Sequence, residues 1–136
     1  MITLHDSPDE GVIRQILTEI RSFNVEKSGQ ARLRTFTVEL RDAAGELAGG
    51  LVCDLWGYAL HIGALWVRED QRRQGQGREL MERAEAYAVA HGSRLAYVET
   101  LSFQARPFYE KLGYRVFGTI EGIAPDTDYY FLSKAL

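Results

Sequence analysis

The chain has 136 residues, 46% of them hydrophobic and 26% charged, with a formal net charge of −3. That length holds one real core, so a single domain over residues 1–136 is expected, and the acidic balance argues against a general nucleic-acid binder, whose footprint is basic. A lone cysteine, Cys53, excludes an intrachain disulfide and a cysteine-cluster metal site and reads as an inert core thiol, and no apolar run is long enough to span a membrane, so a cytoplasmic protein is expected.

Residues 2–5 suit a short first strand. Ser7-Pro8-Asp9-Glu10 reads as a helix start, with Ser7 capping, Pro8 at the first helical position and Glu10 completing a capping box. Ile13, Ile16, Leu17, Ile20 and Phe23 follow as one apolar stripe, and the helix should end between Phe23 and Lys27. Arg34 to Arg41 alternates, with Phe36, Val38 and Leu40 on one face, and is a strand. Asp42 to Gly45 is a turn. Glu46 to Leu55 is a second strand, with a bend or bulge at Gly49-Gly50. Trp56-Gly57 turns into a third strand, Tyr58 to Val67, apolar on both faces except at His61 and therefore expected mid-sheet.

A helix from Gly75 to about His91 stops at Gly92, with Glu79 and Arg83 paired on its wet side. Arg94 to Thr100 is a strand, Ala105 to Leu112 a short helix ended by Gly113, and Tyr114 to Ile120 a strand. Glu121 to Asp128 reads as a polar loop before a closing strand, Tyr129 to Leu132. The order β-α-β-β-β-α-β-α-β-β gives a mixed α+β fold. No repeat, low-complexity tract or linker interrupts it.

Residues 65–81, LWVREDQRRQGQGRELM, organise the rest. They read as the end of a buried strand, an Arg/Gly turn and a helix start. The first N–H groups of a helix lack internal partners, and the dipole makes that end partly positive. Gly75 and Gly77 leave the backbone open to a phosphate, and Arg72, Arg73 and Arg78 add charge. A Walker loop is excluded, because Gly77 is followed by Arg78 and Glu79. The dinucleotide fingerprint is excluded, because Leu80 stands where its third glycine is needed.

What remains, R-x-x-G-x-G over Arg72 to Gly77, resembles the coenzyme A pyrophosphate signature of GNAT-type N-acetyltransferases. Residues 102–114, SFQARPFYEKLGY, resemble the second signature of that family, N-x-x-A-x-x-x-Y-x-x-x-G-F/Y, with Ala105, Tyr109, Gly113 and Tyr114 at the matching offsets. Ser102 departs from it by standing where the asparagine is usual; a serine there either touches coenzyme A with shorter reach or serves as a turn or capping residue. The resemblance covers roughly residues 32–136 and implies the GNAT fold. That fold is a central mixed, mostly antiparallel sheet of six or seven strands flanked by helices.

The resemblance further implies an acyltransferase that passes the acetyl group of acetyl-coenzyme A to a primary amine of a small molecule or protein. The amine attacks directly in a ternary complex, with no metal. It implies that the turn Arg72, Arg73, Gln74, Gly75, Gln76, Gly77 and Arg78 holds the pyrophosphate, with Ser102 and Ala105 also at the cofactor. The backbone of Leu65, Trp66 and Val67 binds the pantetheine arm as an added strand, and the next strand splays away, Gly63 marking the bulge. Tyr109 becomes the general acid toward the departing thiolate. Relatives of this fold often dimerise, so a homodimer is a further expectation.

The base has several candidates. Glu99, near the end of a strand, ranks first and His61 second, with Glu39, Asp54 or a water chain as alternatives. An exposed carboxylate is usually surface, and a lone strand histidine is usually a hydrogen-bonded core residue. Glu121, Asp126 and Asp128 either attract a cationic acceptor or are simply solvated. A different class of protein, a non-catalytic acyl-coenzyme A sensor or regulatory module, would keep the Arg/Gly turn but need no acid.

Overall fold

The computed structural model describes all 136 residues and divides into two compact units, Met1–Leu33 and Arg34–Leu136. In the first unit, residues 2–5 pair with no strand. The helix α1 spans Glu10–Ser28. Its cap is Asp9 rather than Ser7: Asp9 Oδ1 accepts the Val12 N–H at 3.0 Å. Both residues are good caps, but a carboxylate also meets the positive end of the helix dipole. Gly29, at φ 67, closes the helix by donating its N–H to the Val25 carbonyl. No helix of the protein is long and apolar enough to cross a membrane.

The second unit is a six-stranded sheet with helices α2 (Gln76–Ala90) and α3 (Arg106–Lys111). The strands are β1 (Arg34–Arg41), β2 (Leu47–Trp56), β3 (Ala59–Val67), β4 (Leu95–Leu101), β5 (Arg115–Ala124) and β6 (Thr127–Ala135), ordered β1-β2-β3-β4-β6-β5. Only β3 and β4 pair in parallel, across the α2 crossover; the rest are antiparallel. The expected mixed α+β architecture is present. The expected polar loop at Glu121–Asp128 is not. There β5 runs on to Ala124, turns at Pro125-Asp126 and returns as β6. Asp128 Oδ1 accepts the Gly122 N–H at 3.0 Å, and Ala124 faces Thr127 across the turn. The polar residues there mark an exposed two-stranded ribbon.

Strand alternation and helix periodicity build the core. Leu51, Cys53 and Leu55 of β2 point the same way as Leu60 and Ile62 of β3, onto Leu80, Met81, Ala84 and Ala88 of α2. Ala96 and Val98 of β4, Leu132 of β6, Tyr109 and Tyr114 complete it. Full burial of one such aliphatic side chain is worth about 2 kcal/mol. Gly49 and Gly50 are required by strand spacing. A Cβ there would meet the Trp66 carbonyl at 2.9 Å or the Val38 carbonyl at 2.7 Å. The register shift lies beside them, where Leu40 faces Gly49 and Arg41 faces Leu47.

Two irregularities open the sheet. Cys53 faces Ile62 and Val52 faces Ala64, so Gly63 is bulged out of the β2–β3 register. The β3–β4 pairing then covers only Ala59–Ile62 against Leu95–Val98. Beyond it the two strands separate, while β3 stays paired to β2 as far as Val67 and β4 to β6 as far as Leu101.

Candidate active site

The separation of β3 and β4 leaves a cleft of about 230 Å³. One wall is Ile62 to Leu65 of β3. The other is Val98, Glu99 and Thr100 of β4, with Gln104, Ala105 and Tyr109 from the start of α3 and the turn before it. At its β3 end the chain enters one 3₁₀ turn, Glu69–Gln71, and then the Arg/Gly turn. Arg73 there is left-handed at φ 61, and Gly75, at φ 80, is the residue before α2. No side chain caps α2, so the N–H groups of Gln76, Gly77 and Arg78 are unclaimed by the helix. Gly77 packs under the Phe108 ring, where a Cβ would come within 3.2 Å of Cζ. That contact ties the turn to α3, beside Tyr109.

The three arginines of the turn differ. Arg72 folds back and donates from Nε to the Val67 carbonyl at 2.7 Å, bracing the strand end. Arg78 lies 3.9 Å from Glu82, and Arg73 makes no ion pair. Gln74 Nε2 donates to the Asp70 carbonyl at 3.1 Å. Leu65 lines the cleft, but the Trp66 side chain lies in a separate shallow apolar groove with Thr37, Gly50 and Val52. Ser102 is engaged with β6: its N–H donates to the Asp128 carbonyl at 2.9 Å, and its hydroxyl accepts the Asp128 N–H at 3.1 Å. It caps no helix. Ala105 is the residue before α3 and lines the cleft, its N–H donating to Thr100 Oγ1 at 3.3 Å.

Tyr109 is 5% exposed, its ring edge-on to Phe108 and Tyr114. Its hydroxyl has no hydrogen-bond partner in the protein, yet no fully buried side-chain polar atom lacks one. The hydroxyl therefore retains an opening, and the cleft that Tyr109 lines supplies it. Burial, with a smaller contribution from Cys53, pushes its pKa up to about 12, so the phenol keeps its proton at neutral pH.

On the opposite face from α2, Glu99 and His61 meet. His61 Nε2 lies 2.8 Å from Glu99 Oε2, and Nδ1 lies 3.9 Å from Asp54 Oδ2. Thr35 Oγ1 donates to Asp54 Oδ1 at 2.6 Å, and the His61 ring stacks on Tyr97 at 4.6 Å. Glu99 lines the cleft and His61 sits behind it. Glu39 is paired with Arg41 at 2.7 Å and lies beside the separate groove. Asp128 is held in the hairpin, and Asp126 occupies its tip at φ 52.

Two features escaped the sequence. Arg68 bridges Asp42 at 2.9 Å and Asp70 at 2.6 Å, which holds both carboxyls below their usual range. Gln104 and Thr100 line the cleft, and nothing in their spacing marks them.

Comparison with known proteins places this split sheet, with its glycine turn and uncapped helix at one end. The model of the acetyltransferase (GNAT) family matches residues 5–114. The chain belongs to that family and is an acyltransferase. It is 42% identical over 93 residues to the blasticidin-S acetyltransferase of Streptomyces morookaense, covering 68% of each chain. A crystal structure assigned as an acetyltransferase from Agrobacterium tumefaciens superposes with a TM-score of 0.93 at 25% identity, over 100% of this chain and 99% of that one. A GNAT family acetyltransferase from Elizabethkingia anophelis with acetyl-CoA bound has the same fold, with a TM-score of 0.64 at 18% identity, over 96% and 85% of the two chains.

Proposed function

We propose that the protein transfers the acetyl group of acetyl-coenzyme A to a primary amine by direct attack in a ternary complex. One observation carries this reading: Glu99 and Tyr109 line the same cleft, from opposite sides of the reaction's proton balance. Glu99, backed by His61, takes the proton that an ammonium must lose before it attacks. The amine nitrogen then bonds to the thioester carbon and the C–S bond breaks. Tyr109 gives its phenolic proton to the departing thiolate, and the second proton shed by the new amide nitrogen returns through solvent in the cleft to restore the phenol. The pantetheine arm runs along β3 past Gly63 to Leu65, and the pyrophosphate sits at the start of α2, with Arg73 and Arg78 as its charged partners.

The named antibiotic acetyltransferase among the relatives supports an antibiotic-like amine as acceptor, and the carboxylates Glu99 and Asp54 suit a cationic one. A non-catalytic sensor has no use for the Glu99–Tyr109 pair, and the relatives are transferases. The test is calorimetric titration with acetyl-coenzyme A, repeated on the Arg73→Ala, Arg78→Ala double variant, followed by thiol-release assays with blasticidin S and a panel of primary amines. Micromolar binding weakened in the variant, with thiol released in the presence of an amine, is expected. Absence of acetyl-coenzyme A binding by the wild type overturns the reading.

A further inference from the structure

We infer that Gln104 is the side-chain hydrogen-bond donor to the pantetheine arm of coenzyme A, gripping one of its amide carbonyls in the cleft. This rests on the acetyl-coenzyme A reading above. Gln104 Oε1 accepts the Leu101 N–H at 2.8 Å and stands 3.4 Å from Thr100 Oγ1. An amide nitrogen placed there would set donor against the Leu101 donor, so the orientation of the amide is dictated by the backbone. Thr100, 2% exposed, is itself fixed, because its Oγ1 also accepts the Ala105 N–H. The carboxamide is thus locked by its oxygen, and its nitrogen is the free end. It carries two N–H donors, no partner in the protein, and belongs to a side chain that lines the cleft.

What the cleft otherwise offers a ligand sharpens the assignment. Ile62, Leu65, Val98 and Ala105 are apolar, Glu99 only accepts while ionised, and the Tyr109 hydroxyl is committed to the thiolate. The Ser102 hydroxyl is drawn away by the Asp128 N–H. Gln104 is therefore the neutral side-chain donor that the cleft leaves free for a ligand carbonyl. A locked donor loses little rotamer freedom on binding.

The discriminating variant is Gln104→Glu. It retains an oxygen for the Leu101 N–H and for Thr100, so the turn keeps its hydrogen bonds, but it places an acceptor where the carbonyl needs a donor. Titration with coenzyme A and with acetyl-coenzyme A is expected to show Kd raised about tenfold for both, with the melting temperature close to wild type. Gln104→Ala, which removes the donor without adding repulsion, should raise both about threefold. In turnover, KM for acetyl-coenzyme A rises while kcat stays within about twofold. Wild-type Kd values in Gln104→Glu overturn the inference. Weakening confined to acetyl-coenzyme A also overturns it, because the donor would then serve the acetyl carbonyl. Failure of the wild type to bind either compound overturns the functional reading instead.

Discussion

Replacing Tyr109 by phenylalanine removes one oxygen and leaves the rest of the site in place. The ring keeps its edge contacts, with centroids 5.1 Å from Phe108 and 5.9 Å from Tyr114. The hydroxyl has no protein partner, so no buried donor or acceptor is orphaned. Stability should change by less than about 1 kcal/mol, a shift of roughly 3 °C in melting temperature for a chain of this size. A positioned general acid supplies about 10² to 10⁴ in rate. The variant should therefore lose at least about 100-fold in kcat, about 2.7 kcal/mol of barrier. The assay is thiol release with an accepted amine at saturating acetyl-coenzyme A, beside a titration showing unchanged Kd. The donor form is the neutral phenol, and burial moves its ionisation up to about 12. Wild-type kcat should accordingly show no phenol-dependent decline near pH 10, where an exposed tyrosine ionises. A Tyr109→Phe enzyme turning over within about threefold of wild type would refute the reasoning.

Glu99→Gln should lower kcat about 100-fold and His61→Gln less, because only Glu99 lines the cleft; the reverse order in thiol-release assays would make His61 the base. Gly75→Ala places a Cβ in open space at φ 80, so its cost is backbone strain alone, about 1–2 kcal/mol, read as a lower melting temperature. Gly77→Ala instead drives a Cβ to 3.2 Å from Phe108, so it should also lower kcat by shifting the ring next to Tyr109. Alkaline stability should fall early. Burial raises Cys53 from 9.0 to about 12 and Tyr109 from 10.0 to about 12. The unfolded chain then releases protons that the folded one keeps, so stability is full below pH 9 and lost between 9 and 12. Denaturant unfolding at several pH values checks this, and Cys53→Ala should remove the thiol's share, leaving a decline that begins near pH 10.

The sequence carried the local structure and missed what is made between strands. The bounds of β1 were read to the residue, because its alternation is flanked by a clear turn. The extent of α2 was readable from its apolar spacing and from Gly92, which is left-handed at φ 90. The Gly63 bulge followed from the family resemblance, and the β2–β3 register carries it there. The hairpin at Pro125-Asp126 was not, because an exposed ribbon has no buried face to impose alternation. The convergence of Glu99 and His61 depends on β3 lying parallel to β4, a long-range pairing that no local window contains. Gln104 is invisible for another reason: its role comes from one backbone N–H three residues earlier fixing which end of the amide is free.

The split between β3 and β4 is best understood as an interrupted ladder. Continuing the pairing past Ile62 and Val98 would satisfy further backbone groups, and each strand gives that up on one side only. The cost is bearable because β2 and β6 hold the other sides to the strand ends. What remains inside the sheet is an edge of unpaired backbone groups, a template for anything that can present amides along an extended chain. β3 leads within a few residues into the Arg/Gly turn, so such a chain laid against it reaches the free N–H groups of α2 at its far end. Amides along an extended arm with phosphate at the end describe coenzyme A chemically. The bulge at Gly63 lies just past Ile62, where the β3–β4 pairing stops, while β3 stays anchored to β2. Alanine at Gly63 would put a Cβ 3.2 Å from the Val52 carbonyl. The β2–β3 spacing would then have to give at the one place where the cleft is set, and coenzyme A affinity should fall before global stability does.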